Sequence, residues 1–353
     1  MNADVTRPVR PIRVLICDDT RTIRMLIRTL LTRDPRIEVV GEATDPFEAR
    51  DLIKSLQPDV LTLDVEMPRM NGLVFLENIM RLRPMPVAMV STRTAEQSDA
   101  AVRALSLRAL DCIDLRRLQR GDPRVANIAD TVVMAASAKI HKRVDPVRHG
   151  QAALAGQEFR WNGRYVFIGS STGGVDALLQ VFAAYPENCP PTVVAQHMPA
   201  HFLESFAQRL DTHCAASVRL AQSGDILKQG QILLAPGGDH HTRIRGRETP
   251  SITSVTDDGS ALFVPSVEVL FKSAVSLGDK AVGVMLTGMG RDGAREMLAM
   301  REAGAHTIAQ SPETVVVDGM PKAARECGAV IDVCDIDTIG ARILAVTSDS
   351  SQR

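Results

Sequence analysis

The chain is poor in aromatic side chains, with one Trp, two Tyr and nine Phe in 353 residues. Proteins that hold single-stranded nucleic acid stack bases on aromatic platforms, and this composition does not supply them. The charge balance points the same way. Forty-one Lys and Arg stand against 42 Asp and Glu, for a net charge of -1. No overall basic footprint exists for nucleic acid or an acidic membrane surface, and neither is expected as a partner. Long apolar runs are missing too. None nears the roughly 20 residues of a membrane-spanning helix, so membrane insertion is not expected. The opening "MNADVTRPVRP" has no apolar core of the kind a secretory signal needs. The six cysteines (Cys17, Cys112, Cys189, Cys214, Cys327 and Cys334) never fall at C-x-x-C spacing, and none joins histidines in a zinc pattern. They read as reduced thiols of a cytoplasmic protein.

What is present, 45% apolar and 24% charged residues, is ordinary for a globular chain long enough for two domains. From Ile12 to about Ala138, short β-branched apolar runs alternate with stretches of helical apolar spacing. "IRVLIC", "IEVVGEA", "DVLTLDV" and "MPVAMVST" read as strands, and "ALDCIDL" as a weak fifth. Ile23, Leu26, Ile27, Leu30 and Leu31 share one helix face, and Asp45 is positioned to cap the helix after the second strand. The rhythm lapses in "HKRVDPVRHGQAALAGQ" and resumes with "YVFIGS", "PTVVAQH", "QILLAP" and "AVGVMLTG". The pattern predicts two α/β domains, each with a doubly wound parallel sheet. The expected layout is a flexible arm over residues 1–10, a first domain over 11–140, a linker over 141–158, a second domain over 159–346 and a disordered tail over 347–353.

In the first domain, Asp18 and Asp19 follow the first strand and Asp64 ends the third. Strand carboxyl ends surround the crevice of a doubly wound sheet, so three carboxylates are expected to meet there. Like charges this close call for a cation, and an all-oxygen donor set suits Mg²⁺. Ser91 or Thr92, ending the fourth strand, is within reach of a phosphoryl oxygen. The plainer alternative makes Asp18 and Asp19 caps of the following helix.

"ICDDTRTIRMLI", "DVLTLDVEMPRMNG" and "MPVAMVST" resemble a response-regulator receiver domain, flavodoxin-like in fold, over about residues 10–130. The resemblance implies that Asp64 accepts a phosphoryl group from a histidine kinase. It implies that Asp18, Asp19, Asp64 and the Glu66 carbonyl hold Mg²⁺, and that Ser91 is the switch hydroxyl. The family carries a lysine at the end of the fifth strand; here Leu115 stands in its place, followed by Arg116 and Arg117, so altered switching is expected.

The second domain opens on "FIGSSTGG" (Phe167–Gly174). Its glycines and hydroxyls fit an anion-binding loop. Gly169, Ser171 and Gly173 also fit the G-x-S-x-G of a nucleophile elbow. The loop has neither the lysine of a P-loop nor the glycine spacing of a dinucleotide site. The elbow reading needs a base and an orienting acid. His197 ends the apolar run "PTVVAQH", and Asp292 follows "AVGVMLTG", so all three residues fall just past strand carboxyl ends. In that reading Ser171 is the nucleophile, His197 its base and Asp292 the group that orients the imidazole. Backbone N–H groups near Thr172 and in "TGMG" face a developing oxyanion. His240 and His241 remain alternative bases.

"IGSSTGG", "QHMP", "LLAPGGDHH", "PSVEVLF", "VGVMLTGMGRDG", "LAMREAGAHTIAQ" and "DGMPKAA" resemble, in order, the catalytic domain of the chemotaxis protein-glutamate methylesterases, a Rossmann-like α/β domain. The resemblance implies hydrolysis of glutamyl methyl esters on chemoreceptor helices with release of methanol, and deamidation of receptor glutamines, with no cofactor for the hydrolysis. It implies Ser171, His197 and Asp292 as the triad, Thr172 and Met289 near the oxyanion, and His240 at the edge of the site. Where the family has a basic stretch near the substrate entrance, this chain has Ala261-Leu262-Phe263-Val264. That departure leaves a second reading, a phosphorylation-dependent adaptor whose esterase-like domain binds without turnover or acts on another substrate.

Overall fold

The computed structural model describes residues 10–91, 95–114, 128–138 and 159–349. The chain divides into two compact units, Met1–Lys142 and Arg143–Arg353.

The first unit alternates β1 (Ile12–Cys17), α1 (Arg21–Leu31), β2 (Ile37–Ala43), α2 (Pro46–Leu56), β3 (Val60–Asp64), α3 (Gly72–Leu82), β4 (Val87–Ser91), α4 (Ala95–Ser106), β5 (Asp111–Asp114) and α5 (Ile128–Ser137). The five strands form one parallel sheet in the order β2-β1-β3-β4-β5. Short apolar strands such as "VLTLD" suit a sheet covered on both faces; Val60, Leu61 and Leu63 are wholly buried. Helix α2 starts as its sequence predicts. The Asp45 carboxylate accepts the N–H groups of Phe47 (2.8 Å) and Glu48 (3.0 Å), and Pro46 sits at the first helical position. In register, Cys17 pairs with Leu63, so Asp18, one residue on, comes out beside Asp64. Ser91 ends β4, but its side chain and residue Leu115 lie outside what is described. So do residues 1–9 of the expected arm and all of the expected linker, 141–158.

The second unit is built on seven parallel strands in the order β14-β13-β12-β6-β7-β9-β8. They are β6 (Tyr165–Ser170), β7 (Thr192–Gln196), β8 (Ser217–Leu220), β9 (Gln231–Leu234), β12 (Ala281–Met285), β13 (His306–Gln310) and β14 (Asp332–Cys334). The chain leaves β6 toward β7 on one side and later fills β12 on the other. The sheet therefore changes direction at β6, and β12, β6 and β7 are neighbours. Helices α6 (Gly174–Phe182), α7 (Ala200–His213), α8 (Val267–Ala274), α9 (Ala294–Glu302), α10 (Met320–Glu326) and α11 (Ile336–Thr347) flank it, and a 3-10 turn (Val275–Lys280) follows α8. The core includes Phe167, Val193, Val267, Leu270, Phe271, Met285 and Met297. Burying each such side chain stabilises the fold by roughly 1.5–3 kcal/mol. Helix α8 shows the pattern at its plainest, with Val267, Leu270, Phe271 and Ala274 on its buried face and the Ser266 hydroxyl accepting the Val269 N–H at its start.

Several elements go beyond the sequence reading. A two-stranded antiparallel hairpin, β10 (His240–Arg245) with β11 (Ser251–Thr256), is inserted between β9 and α8. The expected disordered tail is corrected at its start. Helix α11 runs through Thr347, Ser348 bridges to Trp161, and Asp349 N–H donates to Arg160 O at 2.8 Å. Asn162 Nδ2 donates to the carbonyls of both Val346 and Ser348, each at 3.1 Å, so the two ends of the unit are clasped together.

Candidate active site and carboxylate pocket

Ser170 and Ser171 are adjacent in sequence and differ in surroundings. Ser170 is wholly buried, and its hydroxyl donates to Gln196 Oε1 at 2.6 Å. Ser171 is 9% exposed and lies at the turn between β6 and α6. The turn is closed by Gly173 at φ 79°, a left-handed conformation that L side chains rarely adopt, and by the Gly174 N–H donating to Ser171 O at 2.8 Å. Its other flank is Gly288. A Cβ there would stand 2.7 Å from the Ser171 Cβ, so only glycine lets the Thr287–Gly290 loop pass this close.

Ser170 and Gln196 pair across β6 and β7, and the next residues, Ser171 and His197, step off the sheet together. One amide fixes both: Gln196 Nε2 donates to Ser171 O (2.9 Å) and to His197 O (3.1 Å). His197 N–H donates to Ser170 O at 3.0 Å. Asp292 arrives from the far side of β6, after β12. The sheet order thus gathers Ser171, His197 and Asp292 at the carboxyl ends of three neighbouring strands.

The imidazole of His197 is bound to Asp292 through Nε2, at 2.7 Å from Oδ2, with the two side chains 5% and 11% exposed. Its Nδ1 is buried and has no hydrogen-bond partner. Buried polar atoms are rarely left so. With Nε2–H given to the carboxylate, the neutral ring presents a lone pair at Nδ1, and Ser171 Oγ is hydrogen-bonded to neither ring nitrogen in this conformation. Asp292 sits at the N-terminus of α8, where its carboxylate accepts Val267 N–H (2.8 Å), Glu268 N–H (2.9 Å) and the Ser266 hydroxyl (3.2 Å). Burial works to raise Asp292, but the His197 hydrogen bond and charge, with the two N–H groups, outweigh it and hold the carboxyl below its usual range. Glu296 nearby is raised by burial and by the like charges of Glu268 and Asp292.

Among the described residues the backbone N–H of Met289 meets no acceptor, while the carbonyl of Gly288 before it accepts from Gly319 (3.0 Å) and Met320 (2.9 Å). The loop is held while the Met289 N–H stays free. Thr172 stands opposite, its carbonyl accepting the Thr287 hydroxyl at 3.0 Å. His240 is exposed at the start of β10, with no hydrogen bond to Ser171, His197 or Asp292. His241, the other alternative base, is turned into the hairpin with its Nε2 3.2 Å from Asp257 Oδ1.

In the first unit Asp18, Asp19 and Asp64 converge, with one carboxylate oxygen from each within 4.8 Å of the others. They do not cap the next helix as an N-cap would: that position is Thr20, and Asp18 Oδ1 accepts only the Thr20 N–H, at 2.8 Å. Burial is the largest cause lifting Asp64 to about 7, helped by the charges of Asp18 and Asp19 against the Glu66 and Val65 N–H groups. Burial likewise lifts Asp18 to about 6. Carboxylates crowded into holding their protons form a donor set that fits a small hard cation. The Glu66 carboxylate is outside this set, and its backbone N–H is on Asp64.

Three supporting contacts escaped the sequence reading. Gln196 is a polar residue ending an otherwise apolar strand. Ser266, ahead of apolar residues at helical spacing, carries an N-cap signature. Phe263 stacks on His197, with ring centroids 4.1 Å apart and planes 17° apart, a contact with no local signal.

The model of the CheB methylesterase family matches residues 166–343, and that of the response regulator receiver domain matches residues 14–115. The chain is 49% identical to protein-glutamate methylesterase/protein-glutamine glutaminase 1 of Caulobacter vibrioides, over 96% of this chain and 98% of that protein. It is 48% identical to the protein-glutamate methylesterase/protein-glutamine glutaminase of Agrobacterium fabrum, over 95% and 97%. Among solved structures, the Thermotoga maritima CheB methylesterase catalytic domain aligns with a TM-score of 0.50 and 34% identity, covering 52% of this chain and 99% of that one. With its receiver domain followed by its catalytic domain, the chain belongs to the CheB methylesterase family.

Proposed function

We propose that this chain is a phosphorylation-regulated protein-glutamate methylesterase that acts on chemoreceptor helices and also deamidates receptor glutamines. The observation that carries the reading is the buried, unpartnered Nδ1 of His197 in a ring whose other nitrogen is tied to Asp292. The serine hydroxyl is a weak nucleophile until a base takes its proton. Ser171 Oγ bonds to the ester carbonyl carbon as its proton passes to His197 Nδ1. The carbonyl oxygen becomes an oxyanion that the Met289 N–H and a backbone donor at Thr172 stabilise; one such donor is worth on the order of 3 kcal/mol. Asp292 keeps the tautomer and stabilises the imidazolium. The C–O bond to the methoxy group breaks, and Nδ1 returns the proton so that methanol leaves. Water, deprotonated at the same nitrogen, then releases the glutamate and restores Ser171. His240 borders the substrate entrance.

Asp64 is the phosphoryl acceptor. A carboxylate oxygen forms a bond to phosphorus as the bond to the kinase's histidine nitrogen breaks, and Ser91 reads the product. Asp18, Asp19, Asp64 and the Glu66 carbonyl would hold Mg²⁺, which when bound would offset the charge of the phosphoryl oxygens.

Methanol release from methylated receptor membranes tests the reading, with and without a small phosphoryl donor. Loss of release in Ser171→Ala and loss of donor stimulation in Asp64→Ala are expected. Full activity in Ser171→Ala would mean a different nucleophile, and no methanol release from the native chain would leave the adaptor.

A further inference from the structure

We propose that Phe263 is a positioning residue for His197, holding the plane of the imidazole so that the unpartnered Nδ1 is kept in place to take the Ser171 proton. This rests on the reading of His197 as the base. A single hydrogen bond from Nε2 to Asp292 fixes where one corner of the ring lies but leaves the ring able to swing about that bond. A flat contact on the face removes this freedom. Phe263 supplies it, with centroids 4.1 Å apart and planes within 17°. Stacking covers a face of the ring, which is 5% exposed, and takes no hydrogen bond from Nδ1, which stays unpartnered.

The position of Phe263 is itself set. Three residues on, Ser266 caps α8, and Ser266 Oγ with the Val267 and Glu268 N–H groups binds Asp292. One stretch, Phe263–Glu268, therefore holds both the carboxylate that fixes Nε2 and the ring that fixes the imidazole plane. The apolar departure at Ala261–Val264 has a role inside the site as well as at its entrance. Leu262, by contrast, is 69% exposed and turned away to solvent.

Two measurements on the full chain test this. In histidine-labelled protein, with His197→Gln used to assign its signals, the His197 ring protons are expected upfield from the ring current of Phe263. The displacement disappears in Phe263→Leu and returns in Phe263→Tyr. In methanol release, Phe263→Leu lowers kcat on the order of tenfold to a hundredfold and leaves KM within about threefold, as for a misplaced catalytic group. Phe263→Tyr restores kcat to within about threefold of wild type. Absence of the upfield signals in the native chain overturns the proposal and needs no variant to fold. So does wild-type turnover in Phe263→Leu, a rise in KM alone, or a Tyr variant as impaired as the Leu variant. The NMR signature is independent of activity: its presence with full turnover in Ser171→Ala would sink the serine mechanism and not the stacking.

Discussion

Ser170 Oγ donates to Gln196 Oε1 at 2.6 Å, and the same Gln196 amide reaches on to the carbonyls of Ser171 and His197. This pairing ties up the Ser170 hydroxyl and leaves that of Ser171 out of it. Two substitutions that look alike in sequence should therefore behave differently. Ser171→Ala is expected to lower methanol release by about 10⁴-fold or more, with little change in stability. Ser170→Ala should keep most of the activity but cost about 1–3 kcal/mol in urea unfolding, since the buried Oε1 loses its donor. A reversed pattern would reassign the nucleophile.

Gln196 is expected to be harder to replace than its absence from any reaction step would indicate. In Gln196→Glu, a carboxylate faces the two carbonyls that now accept from Nε2, which removes two donors at once. A stability loss of roughly 2–4 kcal/mol is expected, together with a fall in kcat as Ser171 and His197 lose their common tether. Urea unfolding and steady-state kinetics measure the two effects separately.

Asp292 ties acid stability to the site. Its carboxyl is held below the usual range, so its contribution to stability is complete above the unfolded value near pH 4 and is lost as pH falls through the lower folded value. Asp292→Asn should be less stable than wild type near pH 6, and the gap should close below pH 4. Turnover in this variant is expected to fall by about 10⁴-fold, as in serine proteases whose triad aspartate is replaced by asparagine. A stability gap that stays constant from pH 7 to pH 3 would contradict the assigned cause.

The pocket in the first unit has the opposite sign. Asp18 and Asp64 are raised, to about 6 and about 7. In metal-free protein their contribution is therefore full below the unfolded value near 4 and lost as pH rises through 6 to 7. Asp64→Asn should raise the metal-free melting temperature of this unit at pH 8, by several degrees for each 1–2 kcal/mol relieved, and change it little at pH 4. Mg²⁺ must displace the protons, so its apparent affinity should climb from pH 5.5 to 7.5. Calorimetry in buffers of different ionisation enthalpy should show proton release. Equal affinity across that range would mean that the carboxylates are already ionised.

The strands that carry the site are legible because they are dense in β-branched apolar residues, as in "YVFIGS", "PTVVAQ" and "AVGVM". The hairpin β10–β11 was not. In "HHTRIR" the adjacent His241 and Thr242 are both buried, and in "SITSVT" hydroxyl residues fill the alternate positions, so neither shows a clean apolar alternation. Strand β14 is three residues long, below what any pattern registers. The order at Thr347–Asp349 has no local signal, because the bonds from Asn162 and Arg160 that hold it come from the other end of the unit.

The sequence by itself determined the alternation of strands and helices, the three carboxylates at strand ends in the first unit, and the candidates Ser171, His197 and Asp292, since residue type and apolar period are local properties. Tertiary structure alone decided that β12, β6 and β7 are neighbours, that Asp292 takes Nε2 and leaves Nδ1 bare, that Ser170 is bound to Gln196, and that Phe263 lies on His197. Those contacts join residues far apart in the chain. They arise only when the sheet order brings the strand ends together and burial leaves each polar atom to the partner that packing places beside it.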